Sequence, residues 1–407
     1  MRFAPGIETA LPLMGLSLVV AALITLVLTP FVADLARRHD VVDRPGIRRV
    51  NERPIPRGGG LALVAAFVPV VIVATLLNSV LGLLPTPGSI GLPEMAGLLI
   101  GGVLAAVMGW LDDYFQLRAR WQMAGQVLVA LVAVVFGVTV DFVNNPVGGG
   151  LIRLNGAAAV AFTLVWIVGT INSINFIDGL DGLSSGIGVI AAITLGVISL
   201  TSVVNEPYVA ILCFALAGAL LGFLRWNFHP ASIFVGTSGV MFVGYSLAML
   251  SILGTAKVAV AMLVLGVPII DTFWIIVRRL ASGRSPFSAD RGHLHHRLLD
   301  LGLSHVQTVL LIYGLCVGLA LLAFVLSGAA QIYAFLLFVV GAGALLLLIS
   351  RRAERGAGIG GAAVPVQDAR PAAPIGGDGP RSPLWSPRQQ APKAVDGAPD
   401  APRRVDG

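Results

Sequence analysis

Apolar residues come in runs of about twenty along most of this chain, and short polar stretches separate them. A helix needs roughly 20 mostly apolar residues to cross a bilayer, because every backbone amide must be bonded internally there. Eleven such runs are predicted, centred near Val20, Val70, Ala105, Ala130, Val165, Ala192, Leu216, Ser246, Leu265, Gly318 and Val340. The third, fourth and sixth are short or interrupted by glycine. The first is read as a retained span, since Glu8 interrupts its charged leader region and no small-residue cleavage site follows. The expected fold is an all-α polytopic membrane protein of about 11 transmembrane helices. Residues 1–355 would form one transmembrane domain. Beyond Arg355 the chain turns to Gly, Ala, Pro, Asp and Arg, so 356–407 is predicted to be a disordered cytoplasmic tail.

Composition agrees. Charged residues are 12% of 407, where a soluble chain would carry about 25%. Both cysteines, Cys213 and Cys316, lie inside apolar runs, so neither a disulfide framework nor a cysteine zinc site is implied. The formal net charge of +6 would suggest nucleic acid in a soluble protein. Here the basic residues sit in short loops and set orientation instead. If the loop after the first span is cytoplasmic, all of the 27 Lys and Arg except Arg2, Arg153 and Lys257 fall on the cytoplasmic side. The N-terminus is then outside and the C-terminus inside.

Ionisable residues near membrane depth mark function by default, and in this chain they gather on the cytoplasmic side. Asp112 and Asp113 end the third span, where a helix macrodipole disfavours anions by about 0.3–1 kcal/mol each. Such a pair suits binding a cation or holding a proton. Asn172, Asn175 and Asp178 recur every third residue at the end of the fifth span and are predicted to share a face. Asp181 follows, with Gly179 and Gly182 letting the backbone approach a ligand. Oxygen donors of this kind suit Mg²⁺. Asp290, His293, His295 and His296 crowd the loop after the ninth span. They read as a cationic pocket for phosphate, or as a transition-metal site that no cysteine or second carboxylate motif completes. The loop after the first span runs from Asp43 to Gly60. Its Arg57, in a Pro-x-Pro-Arg-Gly-Gly run, is placed to attract an anionic head group. Acids for a metal and bases for phosphates, on one membrane side, together fit phosphoryl transfer.

Six segments, in order, resemble the polyprenyl-phosphate N-acetylhexosamine-1-phosphate transferases, the family that also holds phospho-N-acetylmuramoyl-pentapeptide translocase. They are Asp43–Gly60, Asp112-Asp113, Asn172–Gly182, Leu224–Gly239, Pro268–Thr272 and Asp290–Leu298. The resemblance implies transfer of N-acetylhexosamine 1-phosphate from a UDP-sugar to undecaprenyl phosphate in a bacterial plasma membrane. UMP would be released, with Mg²⁺ or Mn²⁺ as cofactor. It implies catalytic roles for Asp112, Asp113 and His293, the two acids serving as bases, metal-positioning groups or nucleophiles. Asn175, Asp178 and Thr237 would be metal-facing. Arg57, Asn172, Asp181, Asp290, His295 and His296 would bind substrate. The Asp-Arg-Gly-His-Leu-His-His-Arg run looks like the branch that uses UDP-N-acetylglucosamine. Expected partners are the UDP-sugar, undecaprenyl phosphate and membrane lipid, with room for a homodimer and no nucleic acid. Three positions depart from the family pattern: Thr237 stands where an Asp is usual, Asn51 where a His is common, and Gln122 where a Lys often follows the paired acids. Two other readings remain, a catalytically impaired relative serving as a scaffold and a transporter of an anionic lipid or sugar. The near absence of ionisable residues within the spans speaks against the transporter.

Overall fold

The computed structural model describes residues 7–45, 53–84, 90–145, 147, 150–254, 258–283, 285 and 293–357. Helices dominate: α1 (Ile7–Arg38), α2 (Gly60–Leu81), α3 (Leu92–Phe115), α4 (Ala119–Val135), α5 (Ala157–Ile177), α6 (Leu183–Ser199), α7 (Pro207–Asn227) and α8 (Gly236–Leu253). They continue as α9 (Val258–Val264), α10 (Gly266–Ala281), α11 (Leu294–Asp300), α12 (His305–Val325) and α13 (Ala329–Ala357). Two small antiparallel hairpins interrupt them. One pairs β1 (Val42–Asp43) with β2 (Ile55–Pro56), and the other pairs β3 (Phe142–Asn144) with β4 (Leu151–Arg153).

Ten of the eleven predicted span centres fall inside one of these helices, and the ninth, Leu265, falls at the break between α9 and α10. Seven are long and apolar enough to cross a membrane. Three shorter apolar helices are α4, α6 and the 329–344 part of α13. The ninth run differs from a straight span, because α9 and α10 meet at a 76° bend. Gly266 opens α10 and Pro268 follows in its first turn, where the missing N–H costs nothing and continuation from α9 is blocked. The chain is therefore a multi-pass membrane protein. Helix α13 runs two residues past the expected domain end, and 358–407 lie outside the described residues.

The centre belongs to α7 and α8, whose apolar windows are 83% and 89% buried. Lipid tails are as apolar as leucine, so close backbone approach rather than hydrophobicity must hold such helices together. Gly218 and Gly222, one turn apart, meet the carbonyl oxygens of Leu18 and Ala22 on α1; a Cβ at either glycine would sit 2.1 Å from that oxygen. Gly218→Leu should therefore force α7 off α1 and cost at least about 1–3 kcal/mol. A fall in the thermal midpoint of the detergent-solubilised protein would show it. Gly314→Ala on α12, where a Cβ meets nothing within 4 Å, should leave the midpoint in place.

Helices α3 and α8 are joined the same way. The Tyr245 hydroxyl donates to the Gly97 carbonyl at 2.7 Å, and Gly101 leaves room for that ring. Gly109 packs directly on the Thr237–Ser238 backbone. This contact brings the acidic end of α3 against the first turn of α8.

Candidate active site

One cleft of about 940 Å³ opens where several helix ends meet. The C-terminal ends of α3, α5 and α7 reach it, as do the N-terminal ends of α8 and α12, α11 through His296, and the loop before α2. The first hairpin forms one wall. Phe234 N–H donates to the Pro56 carbonyl at 2.9 Å, and Gly59 and Gly60 donate back to Phe234 and Val235 at 3.1 and 3.2 Å. Gly58, at φ +101°, turns the chain beneath the Trp110 ring, leaving no space for a Cβ. Arg57 is thereby held at the cleft, ion-paired with the buried Asp43. A buried carboxylate costs several kcal/mol unless paired, so Asp43 fixes its arginine.

The paired acids have different surroundings. Asp113 lines the cleft, and its two carboxylate oxygens accept the backbone N–H groups of Thr237 at 2.9 Å and Ser238 at 3.1 Å. It thus caps α8 from another helix, and the positive end of the α8 dipole offsets the unfavourable end of α3. Asp112 is turned away from the cleft. Its Oδ1 accepts from Leu117 N–H at 3.0 Å and Gln122 Nε2 at 2.8 Å, and its Oδ2 accepts the Thr237 hydroxyl at 2.7 Å. Gln122, one of the departures from the family pattern, is thus an uncharged donor to the Asp112 carboxylate.

Beyond α5, Asn175, Asp178 and Asp181 line the cleft. Asp178 accepts the Ser184 hydroxyl at 2.6 Å. Burial raises its pKa from 3.8 to about 6; Ser184 and Arg57 pull it down, while the carboxylates of Asp113 and Asp181 push it up. Asp181 accepts from His229 Nδ1 at 2.8 Å and from Ala231 N–H at 3.0 Å. Asn172 does not join them. Positions three apart on a helix drift by about 60° per step, and over two steps Asn172 turns to α4. There its amide donates to Gln126 Oε1 at 2.6 Å. The shared face predicted for 172, 175 and 178 therefore holds for the last two only.

The histidines divide similarly. Successive helical positions point about 100° apart, and of the three only His296 lines the cleft. His293 is bonded through Nδ1 to Asp271 Oδ2 at 2.9 Å, and Asp271 Oδ1 accepts the Leu294 N–H at 2.7 Å, capping α11. His295 is fully buried against Gly179, where a Cβ would meet its ring at 2.2 Å. Full burial keeps it from touching a substrate in this arrangement, and also lowers its pKa well below 6.5. Asp290, Asn51 and Lys257 lie outside the described residues.

Among the cleft residues, His305 lies outside every segment the sequence singled out, while Asp43, Arg53, Asn227 and His229 fell inside such segments without a role assigned to them. Asn227 shows how such a residue works. It accepts the Ser185 hydroxyl at 2.5 Å and donates to the Ile233 carbonyl at 3.0 Å, tying α6 to the loop before α8.

The carboxylate crowd bears on a metal. Asp113, Asp178 and Asp181 lie close enough to raise the Asp178 pKa, with Arg57 as the named counter-charge. Asn175 and Thr237 add neutral oxygens on the same surface. Hard oxygen donors beside three carboxylates fit Mg²⁺, which keeps waters and substrate phosphates in its shell.

A membrane helix bundle with basic side chains suited to phosphates and acids suited to a cation at one end fits a class, enzymes acting on a phosphorylated substrate at the membrane surface. Comparison with known proteins narrows it. Residues 95–255 match the model of glycosyl transferase family 4. A probable undecaprenyl-phosphate N-acetylglucosaminyl 1-phosphate transferase of Bacillus subtilis is 35% identical over 330 residues, covering 79% of this chain and 87% of that one. A decaprenyl-phosphate N-acetylglucosaminephosphotransferase of Mycobacterium tuberculosis is 36% identical over 329 residues, covering 74% and 80%. A phospho-N-acetylmuramoyl-pentapeptide-transferase of Desulforudis audaxviator is 30% identical over 336 residues, covering 76% and 96%. The chain belongs to this family of polyprenyl-phosphate sugar-phosphate transferases.

Proposed function

We propose that the chain transfers N-acetylglucosamine 1-phosphate from UDP-N-acetylglucosamine to undecaprenyl phosphate, as the first membrane step of a cell-wall or surface polysaccharide. The observation that carries this reading is the cleft itself, in which Asp113, Asp178 and Asp181 face Arg53 and Arg57 at one end of an apolar bundle. The names of the relatives supply the sugar and the lipid class. A phosphate oxygen of the lipid attacks the β-phosphorus of the donor. The bridging P–O bond breaks, and UMP leaves with the bridging oxygen. Arg57, held by Asp43, faces the anionic phosphates and favours their approach. Asn175, Asp178 and Thr237 would hold Mg²⁺ (or Mn²⁺), which when bound neutralises charge on the phosphates. Asp113 keeps the first turn of α8 in place beneath them. Eleven crossings of the bacterial plasma membrane, with the N-terminus outside, put this cleft in the cytoplasm, where the cationic loops belong.

The test is UMP release by the detergent-purified protein given undecaprenyl phosphate, Mg²⁺ and a panel of UDP-sugars. Release that needs both lipid and metal is expected, with UDP-N-acetylglucosamine the responding donor. No release with any sugar, from folded protein, would reject the transferase reading.

One observation favours an impaired relative instead. Thr237 supplies a neutral hydroxyl to Asp112 where the family usually has a third acid. Thr237→Asp should lower the Mg²⁺ concentration for half-maximal rate. It should also make thermal stability depend on Mg²⁺, since three adjacent carboxylates repel without a cation. An unchanged metal dependence on both counts would place position 237 outside the coordination sphere.

A further inference from the structure

Behind the cleft wall, α10 and α11 bring together three groups that do not line the cleft. Asp271 and His295 are buried, at 2% and 0% exposure, and His293 is nearly so. Each offers one ligand atom, and those atoms lie within 4.8 Å of one another. We propose that Asp271, His293 and His295 bind a divalent transition metal of the zinc class, separate from the ion of the oxygen-lined cleft.

The orphaned ring is the strongest argument. Neither nitrogen of His295 has a hydrogen-bond partner, although the side chain is fully enclosed. A neutral imidazole always carries one N–H donor and one lone pair, and buried polar groups of this kind are nearly always satisfied. A metal on one nitrogen would use that lone pair. Geometry comes next. Asp271 Oδ2 and His293 Nδ1 are 2.9 Å apart, while donors on one tetrahedral zinc lie about 3.4 Å apart. An ion could take the place of the shared proton with little movement, and a modest rotation of His295 completes three protein ligands. Asp271 Oδ1 meanwhile stays on the Leu294 N–H, which anchors the carboxylate as ligating groups usually are anchored.

Donor chemistry keeps the two ions apart. Two imidazoles and one carboxylate suit zinc, cobalt or nickel, whereas Mg²⁺ prefers oxygen ligands and water. The other acid–histidine group, Asp181 with His229 and His305, is half open and lines the cleft itself. A metal at Asp271 would pin the seven-residue α11 to α10. Through the contact of His295 with Gly179 it would also brace the turn that carries Asp178 and Asp181.

Full-length protein purified in detergent and stripped of metal is titrated with Co²⁺, and retained metal is quantified after loading with Zn²⁺ and desalting. The expected result is about one tight equivalent per chain, with the visible absorption of four-coordinate Co²⁺, unaffected by millimolar Mg²⁺. Asp271→Asn and His295→Gln should each weaken binding by at least about 10-fold, while His229→Gln should retain it. A wild-type protein that retains no metal and gives no visible band overturns the proposal, as does displacement by Mg²⁺. If a variant does not run as a single species by size exclusion, the wild-type Co²⁺ titration decides alone.

Discussion

Asp178→Asn is expected to lower turnover by about 10²- to 10³-fold while leaving the protein folded. The side chain keeps its size, and Oδ1 of the amide can still accept the Ser184 hydroxyl that Oδ1 of the acid accepts at 2.6 Å. What disappears is a negative charge among Asp113, Asp181 and Arg57, on the surface proposed to hold the metal. The pH dependence gives an independent check. Burial raises this carboxyl from 3.8 to about 6, so it is protonated below that value and ionised above it. The rate of the native protein should climb with pH through about 6. The climb should move to lower pH as Mg²⁺ increases, because the cation favours the ionised form. Stability runs the other way. With the folded pKa above the unfolded one, this group's contribution is full below about pH 4 and is lost as pH rises through 6. Asp178→Asn should remove both trends. A variant with native turnover and a native pH profile would take Asp178 out of the chemistry.

The helices were readable because a bilayer allows few alternatives. Twenty apolar residues in a row have no other way to satisfy their backbone, and every predicted centre but Leu265, at the break between α9 and α10, lies in a helix. The bend between α9 and α10 had a local signal in Gly266 and Pro268, overshadowed by the apolar run around it. The site was legible in its residue types more than in its geometry. Asp112 and Asp113 are adjacent in sequence, but only contact with α8, more than a hundred residues on, decides which one faces the cleft. Asn172 has the spacing of Asn175 and Asp178, and the helical drift turns it toward Gln126. His293 and His295 promised a phosphate pocket, or a metal site that lacked a second carboxylate. Asp271 stands beside His293 from 22 residues upstream; Pro268–Thr272 was one of the matching segments, but spacing alone could not pair the two.

Asp112→Asn and Asp113→Asn should both abolish measurable UMP release, yet they should differ in stability. Asp113 accepts two backbone N–H groups from the first turn of α8. An amide in its place must turn its NH₂ toward one of those donors. At Ser238, which is fully buried, an orphaned N–H costs about 1–3 kcal/mol. Loss of the charge at the helix terminus adds about 0.3–1 kcal/mol. Asp112 faces a more forgiving partner on one side. Its Oδ2 accepts a hydroxyl from Thr237, and a hydroxyl can rotate to accept from an amide just as readily. Its Oδ1 can remain the acceptor for Leu117 and Gln122. Thermal unfolding of the two purified variants should therefore place the Asp113→Asn midpoint clearly below that of Asp112→Asn, with the latter near the native value. Equal midpoints would mean that the Asp113 carboxylate does not hold α8. Retained turnover in both variants would remove the paired acids from the reaction and leave Asp178 and Asp181 as the acids to examine.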